Sequence, residues 1–214
     1  MISFAFINKI GAIAKFRCGA SWEHVLTHAI GEYTAKERSV PPMKIERDNL
    51  LEPYVLRNIT EQDIPACVQL IRASFQTVAD TFGFTVENAP RFTAFATTSE
   101  RLHWQLCEER RPMYAYYEDD QPVGYYSLAL LEDGACELNN LCVHPEYRHK
   151  GIGEALVADA FRKAREFGCT RMNIGIVEEN QVLRKWYEDL GFLHTETKKF
   201  DFFPFTCGYM VKNL

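Results

Sequence analysis

The chain contains 214 residues with a mass of 24.7 kDa, a size that fits one domain with a modest additional segment and argues against a fusion of two enzymes. Hydrophobic residues make up 47% of the chain and charged residues 25%, which are the proportions of a folded protein rather than of a disordered or fibrous one. The net charge of −5 argues against a nucleic-acid partner, because binding phosphates requires a basic face, and it favours small cationic partners.

The cysteines and histidines show no pattern typical of a metal centre. The seven cysteines are an odd number, and no two of them are separated by two residues as a zinc or dithiol motif requires. The histidines show no metal-ligand spacing either. We therefore expect mostly buried free thiols, a reducing compartment and no bound metal.

The order of apolar and charged residues predicts neither a membrane-spanning segment nor a signal peptide. No run approaches the roughly 18 consecutive apolar residues that cross a bilayer. The apolar start is followed, rather than preceded, by Lys9, Lys15 and Arg17, which reverses the order of a signal peptide. We expect an uncleaved, cytoplasmic protein that does not enter a membrane, although the acid-free first 22 residues leave an organelle address open.

Residues 1–53 and residues 54–214 differ in net charge and in the pattern of their side chains. The second part carries all of the net negative charge. In the first part, Pro41 and Pro42 end any preceding helix, and no two reactive side chains have a useful spacing. We expect residues 1–53 to be a helical or poorly ordered extension and residues 54–214 to form the functional domain.

The hydrophobic pattern from residue 54 onward predicts alternating strands and helices. In chain order these are a strand at 54–58, a helix with an apolar face from Ile64 to Val78, a helix from Ser99 to about Arg110, strands at 113–118, 123–131 and 135–143, a helix from Ile152 to Phe167, a strand at 171–177, a helix after Asn180, and strands at 192–200 and 205–212. The strand at 171–177 should be parallel to the one before it, because a helix connects the two. The pattern is that of an α/β sandwich around a mixed sheet.

Helix ends are predicted from their capping residues. Thr60 or Asp63 can cap the first helix, which tolerates Pro65 in its first turn, Ser99 can cap the second, and Asn180 can cap the last. Gly168 follows the strongest amphipathic helix as a C-terminal cap.

The loop that immediately precedes that amphipathic helix contains two basic residues and two glycines. The free N–H groups of a helix start and the helix dipole favour an anion, and Gly151 and Gly153 let a phosphate approach the main chain. The alternative is an ordinary strand-to-helix loop in which glycine only forms the turn.

A Walker loop is excluded because Lys150 precedes Gly151. A dinucleotide-binding loop lacks its third glycine, but Glu178 at the end of the next strand keeps nicotinamide binding open.

Two blocks of sequence resemble the GNAT superfamily of acyl-CoA-dependent N-acyltransferases. The first is Arg148-x-x-Gly151-x-Gly153. The second is Asn180 followed seven residues later by Tyr187-Glu188-Asp189-Leu190-Gly191-Phe192. The resemblance covers residues 54–214 and implies an α/β fold with a mixed, mostly antiparallel central sheet flanked by helices, preceded by the N-terminal extension.

The resemblance also implies how acetyl-CoA would be bound. The arm of the coenzyme would lie in a gap between two splayed strands, hydrogen-bonded to Leu141, Cys142 and Val143, and Asn180 would contact it. The pyrophosphate would be held mostly by main-chain N–H groups of the loop formed by Arg148, His149, Lys150, Gly151, Ile152 and Gly153. Substituting Arg148 should therefore do less harm than substituting Gly151.

Two residues are implied to be catalytic. Glu137 lies 14 residues before Gly151, the offset at which several GNAT members place a base that acts directly or through water. Strand alternation would put residues 137, 139, 141 and 143 on one face, and a strand glutamate can also simply face solvent or an internal partner. Tyr187 would be the acid toward the coenzyme A sulfur; the alternative is a core aromatic residue with a satisfied hydroxyl.

Other candidate groups have simpler interpretations. Cys142 and His144 could imitate a nucleophile and base, but a buried thiol and a loop imidazole are expected. The C-terminal aromatic residues, which would wall the acceptor pocket or fill the core, are Phe200, Phe202, Phe203, Phe205 and Tyr209.

The function that follows is transfer of an acetyl group from acetyl-CoA to a primary amine of a small molecule, by direct attack in a ternary complex. The alternative is a non-catalytic acyl-CoA-binding sensor or partner-docking module. The expected partners are a small-molecule amine and a second copy of the chain, with no nucleic acid and no membrane.

Overall fold

The computed structural model describes residues 55–214. The expected extension at residues 1–53 lies outside these residues.

Residues 55–214 form one sheet of seven strands in the order β1-β2-β3-β4-β5-β7-β6. The strands are β1 (Val55–Asn58), β2 (Met113–Glu118), β3 (Gln121–Leu130), β4 (Ala135–Val143), β5 (Arg171–Val177), β6 (Leu193–Lys199) and β7 (Thr206–Asn213). Every neighbouring pair is antiparallel except β4 and β5, which are joined by a crossover helix and are parallel. The predicted mixed, mostly antiparallel sheet is confirmed.

Helices cover both faces of this sheet. In the described part of the chain they are α1 (Ile64–Phe82), α2 (Thr93–Ala96), α3 (Ser99–Cys107), α4 (Ile152–Glu166) and α5 (Gln181–Asp189), with short 3-10 turns at Glu61–Asp63 and Pro145–Tyr147. The apolar stripe of α4 packs with inward side chains of the central strands, including Leu138 and Leu141. Helix α1 lies on the other face, where the Ser74 hydroxyl donates to the Val143 carbonyl at 3.1 Å.

Helix α1 begins at the two predicted capping residues acting together. The Asp63 carboxylate accepts hydrogen bonds from the Thr60 backbone N–H at 2.7 Å and from the Thr60 hydroxyl at 2.8 Å. Arg57 on β1 donates to both oxygens of the same carboxylate at 3.0 Å, and this pairing is the main reason why the pKa of Asp63 falls well below its usual range. The cap therefore fixes the end of β1 to the start of α1.

Three predicted boundaries differ from the structure by one to three residues. The cap of α3 is Thr98 rather than Ser99, because Thr98 is the extended residue whose hydroxyl accepts from the Arg101 N–H at 3.2 Å. The helix ends at Cys107, short of Arg110. The hairpin between β2 and β3 is tighter than predicted, since only Asp119 and Asp120, both with positive φ, form the turn.

Candidate active site

The two parallel strands at the centre of the sheet separate into a fork. Pairing between β4 and β5 is confined to Ala135–Glu137 opposite Arg171–Asn173. Both strands then continue to Val143 and Val177 without pairing to each other, so the edge of β4 that faces β5 is left open. On its other side β4 stays paired with β3. The gap therefore offers backbone hydrogen-bonding groups to an extended ligand.

A β-bulge in β4 reverses the predicted alternation of side chains. Asn140 has a φ of 52°, and β4 carries one more residue than β3 between Asn139, opposite Ser127, and Cys142, opposite Tyr125. Glu137, Asn139 and Cys142 consequently share the face covered by α1. Leu141 and Val143 point to the α4 face instead, where they join the apolar cluster of that helix. The expectation that residues 137, 139, 141 and 143 share one face is wrong for this reason.

Glu137 lies at the apex of the fork, opposite Asn173. Its side chain is partly buried, and burial raises the pKa of the carboxyl to about 7. The positive charge of Arg111 and hydrogen bonding from the Asn139 side chain oppose this rise. A carboxylate with a pKa near neutrality can accept and release a proton at physiological pH.

Two polar side chains, Tyr209 and Arg111, lie near Glu137, although nothing in the sequence placed either of them beside it. Tyr209 on β7 pairs with Gly175, two residues beyond Asn173, and so faces the same side of the sheet as Glu137. Its buried hydroxyl has no hydrogen-bond partner among residues 55–214. Burial raises the pKa of Tyr209, and the charge of Glu137 adds to that shift.

Arg111 lies in the segment between α3 and β2 and influences Glu137 through its charge. One guanidinium nitrogen donates to Glu109 at 2.8 Å, and Nη1 is buried without a partner in the described part of the chain. No motif or spacing singles out Arg111 in the sequence, since only the fold brings residue 111 near residue 137.

Tyr187 is fully buried on the opposite face of the fork from Glu137. Its ring packs edge-on against Trp186 and Phe192, with ring centroids 4.8 Å and 5.3 Å away. The same apolar cluster contains Val143 from β4 and Ile176 from β5. Tyr187 is thus held by its neighbours beside both arms of the fork, while Glu137 lies at the apex on the α1 side.

The loop after β4 has the features of an anion site. Gly151 has a φ of 79°, a conformation that favours glycine, and a Cβ added there would have open space around it. Helix α4 starts at the next residue, and within the described residues its first N–H groups, from Ile152 to Glu154, have no backbone acceptor. His149 also has a positive φ of 62°. The main chain therefore presents several donors at the positive end of the helix dipole.

The basic side chains of this loop are engaged with the protein itself. Arg148 donates to the Val143 carbonyl at 3.2 Å and, from Nη2, to the Ser74 carbonyl and the Thr77 hydroxyl, each at 3.1 Å. Lys150 lies over the Tyr147 ring, 4.6 Å from its centroid. Arg148 therefore ties the loop to α1 and to the end of β4.

Asn180 follows the end of β5, and Cys142 lies on β4. The Asn180 side chain accepts from the Leu183 N–H at 3.1 Å, which caps α5 directly after β5, as predicted. Cys142 is fully buried, and burial raises the pKa of its thiol to about 12. A thiol that stays protonated is a poor nucleophile, so the pairing of Cys142 with His144 does not form a reactive centre.

Glu178 is occupied by structural contacts. Its carboxylate accepts from Arg184 at 2.5 Å and lies 3.0 Å from His194 Nε2. It also lies against Gly208, where an added Cβ would come within 2.0 Å of a carboxylate oxygen. Both carboxylate oxygens therefore already have partners within the protein, which weakens the case for Glu178 as a ribose ligand and for nicotinamide binding.

Comparison with known proteins identifies the family to which this chain is similar. The model of the acetyltransferase (GNAT) family matches residues 76–192, more than half of the chain. An uncharacterized N-acetyltransferase of Mycobacterium tuberculosis is 28% identical over 114 residues, which cover 53% of this chain and 73% of the relative.

Solved structures show the same fold. The PaiA N-acetyltransferase of Thermoplasma acidophilum, in complex with coenzyme A, superposes with a TM-score of 0.66 at 19% identity, covering 76% of this chain and 99% of that one. The yncA protein of Salmonella typhimurium, with its cofactor acetyl-CoA, gives a TM-score of 0.58 at 20% identity, covering 75% and 94%. These likenesses show the fold of an acetyltransferase. The chain belongs to the GNAT family.

No helix within residues 55–214 has both the length and the apolar character needed to cross a membrane.

Proposed function

We propose that this protein transfers an acetyl group from acetyl-CoA to a primary amine of a small molecule, by direct attack in a ternary complex. The observation that carries the proposal is Glu137, a carboxyl with a pKa of about 7 at the apex of an open fork in the sheet. Membership of the GNAT acetyltransferase family supports acyl transfer from acetyl-CoA.

The described residues fit the coenzyme at two places. The unpaired edge of β4, at Leu141, Cys142 and Val143, can hydrogen-bond the pantetheine arm like an added strand. The N–H groups of Gly151, Ile152 and Gly153 can hold the diphosphate at the start of α4. When bound, acetyl-CoA supplies the thioester carbon that the amine attacks.

Arg148, His149, Lys150 and Asn180 complete this binding surface in different ways. Arg148 fixes the position of the loop through its three hydrogen bonds, so the diphosphate would be held mainly by the backbone. Lys150 and His149 contribute chiefly their main-chain positions. Asn180 uses its carbonyl oxygen to cap α5, which leaves its amide N–H₂ for the coenzyme arm.

Glu137 acts as the base in this proposal. An alkyl ammonium has a pKa near 10 and is almost entirely protonated at neutral pH, so it must lose a proton before it can attack. Above pH 7 the Glu137 carboxylate can take that proton, directly or through one water molecule. The partly exposed position of Glu137 allows an amine to approach from the α1 face.

Tyr187 acts as the acid that protonates the departing sulfur. Its ring is fixed by Trp186 and Phe192 beside both arms of the fork, which keeps the hydroxyl in a set position. Base and acid thus lie on opposite faces of the gap, so that the amine and the thiolate need not compete for one group.

The acceptor would lie on the α1 face, next to Glu137. Tyr209 can hydrogen-bond the amine through its buried hydroxyl, which has no partner among residues 55–214. The C-terminal aromatic residues divide into two groups here. Phe203 and Phe205 are buried and stack with ring centroids 4.6 Å apart, as core residues do, whereas Phe202 is exposed.

Location and assembly remain predictions. The six cysteines within residues 55–214 are free thiols, in keeping with a reducing compartment such as the cytoplasm. A homodimer is expected from the sequence interpretation only.

The proposal is tested by incubating the full chain with acetyl-CoA and a panel of primary amines while free thiol is followed. We expect thiol release that depends on one class of small amine, with acetylated amine formed in equal amount. Tight acetyl-CoA binding with no turnover across a broad panel would instead identify a sensor or docking module.

A further inference from the structure

Three side chains with metal-binding atoms converge at the surface, and none of them belongs to the site described above. Glu61 belongs to the 3-10 turn before α1, and His103 and Cys107 lie one turn apart on α3. His103 Nε2 is 3.1 Å from Glu61 Oε2 and 3.8 Å from Cys107 Sγ. One atom from each residue falls within 4.8 Å of the other two.

These distances match the donor spacing around a tetrahedral zinc ion. Zn–S and Zn–N bonds of about 2.3 Å and about 2.1 Å place neighbouring donors about 3.3 to 3.6 Å apart. The separations of His103 from Glu61 and from Cys107 lie on either side of that range, and the third pair of donors lies within 4.8 Å, so rotation of these side chains can bring all three onto one ion. A thiolate, an imidazole and a carboxylate are also the three donor types that zinc accepts.

We propose that Glu61, His103 and Cys107 bind a divalent zinc ion, with water in the fourth position. The simpler reading is an exposed ion pair between Glu61 and His103, whose side chains are 65% and 53% exposed. Such a pair adds little stability and gives no reason for a thiol to lie at the same point. The exposure that weakens the ion pair leaves the three donors accessible to an ion from solvent.

The consequence of zinc binding would be structural. Glu61 precedes α1, and the other two ligands lie on α3, so the ion would link two segments that are 42 residues apart in sequence. The sequence pattern could not reveal this site, because His103 and Cys107 alone provide only two ligands. The expectation of no bound metal is revised by this proposal.

The test titrates the metal-free full chain with cobalt and then zinc. Cobalt bound through Cys107 should give the intense near-ultraviolet absorption of a cobalt–thiolate bond, at one ion per chain, and zinc should displace it. Cys107→Ser should abolish this absorption, and His103→Gln and Glu61→Gln should each weaken zinc binding at least about tenfold. Cys169→Ser, which removes a thiol outside the cluster, is the matched control and should bind like the wild type.

Zinc should also raise the melting temperature of the wild type and not that of Cys107→Ser. A thiolate absorption that persists in Cys107→Ser would place the ion on another cysteine and overturn the proposal. Zinc affinity that is equal in the wild type and all three variants, or an absence of binding with zinc in several-fold excess, would overturn it as well.

Discussion

Glu137 on β4 lies directly opposite Asn173 on β5, at the last position where the two parallel strands still pair. Beyond this pair the strands separate, so the carboxyl is at the closed end of the gap that would receive the thioester. Its neighbours in the sheet bury it enough to raise its pKa to about 7. The same feature that opens the sheet therefore places and adjusts the proposed base.

Replacing the base should change both the rate and its pH dependence. The wild-type kcat/KM should fall as the pH drops below about 7, because Glu137 becomes protonated. Glu137→Gln should lose activity about 100-fold at pH 8, the low end of the usual contribution of a general base. The loss should shrink below pH 6, where the wild type has also lost its base. The exposed Glu87→Gln is the control, and a variant profile that parallels the wild type at every pH would remove the assigned role.

The same substitution should stabilise the folded protein at high pH. The pKa of Glu137 is about 7 in the folded state against 4.5 for an unperturbed glutamate, so folding favours the protonated form. Its contribution to stability is present below pH 4.5 and is lost as the pH rises through 7. Glu137→Gln should therefore be more stable than the wild type by about 2 kcal/mol at pH 8, a figure reduced for partial solvent exposure.

Urea unfolding at pH 8 and pH 4.5 measures this difference. The stabilisation should disappear at the lower pH. A Gln variant that is less stable at pH 8 would mean that the carboxylate is well paired in the folded protein.

The charge of Arg111 should set the pH of the acidic limb of the kcat/KM profile. Its charge lowers the pKa of Glu137, in opposition to burial. Arg111→Gln should move the acidic limb of the kcat/KM profile to higher pH, while Arg111→Lys, which keeps the charge, should leave the limb near its original position. If both variants shifted the limb equally, the effect would come from packing rather than from charge.

Alanine substitutions at two glycines with the same backbone conformation can distinguish backbone strain from a loss of ligand binding. Gly151 and Gly83 have φ values of 79° and 68°, and an added Cβ would meet no atom within 4 Å at either one. Alanine should cost about 1 kcal/mol of stability at both positions. Only Gly151→Ala should weaken coenzyme A binding, by about tenfold or more, because its methyl group lies where the diphosphate approaches. Equal affinity in the two variants would place the diphosphate elsewhere.

Tyr187→Phe should test the proposed acid. Loss of the hydroxyl should lower kcat about tenfold to 100-fold with little change in KM for acetyl-CoA, since the ring and its contacts with Trp186 and Phe192 remain. Steady-state kinetics with a saturating amine provide the measurement. Full turnover in the variant would show that water or another group protonates the sulfur.

The strands, the long helices and the glycine loop could be predicted because they depend on local patterns. The apolar period of α4, the cap at Asn180 and the pair of glycines at the start of α4 are properties of short segments. The bulge at Asn140 could not be predicted, because it is visible only as a register shift against β3, and it moves Leu141 and Val143 to the other face. Arg111 and Tyr209 were missed as neighbours of Glu137 for a related reason: only the order of strands brings them there.

Calorimetry with coenzyme A and with pantetheine, which lacks the diphosphate, tests the central claim most directly. If the N–H groups at the start of α4 hold the diphosphate, the intact coenzyme should bind with measurable heat, and pantetheine should bind far more weakly. Equal binding of the two ligands, or no heat from coenzyme A at millimolar concentration with the protein folded, would contradict the account.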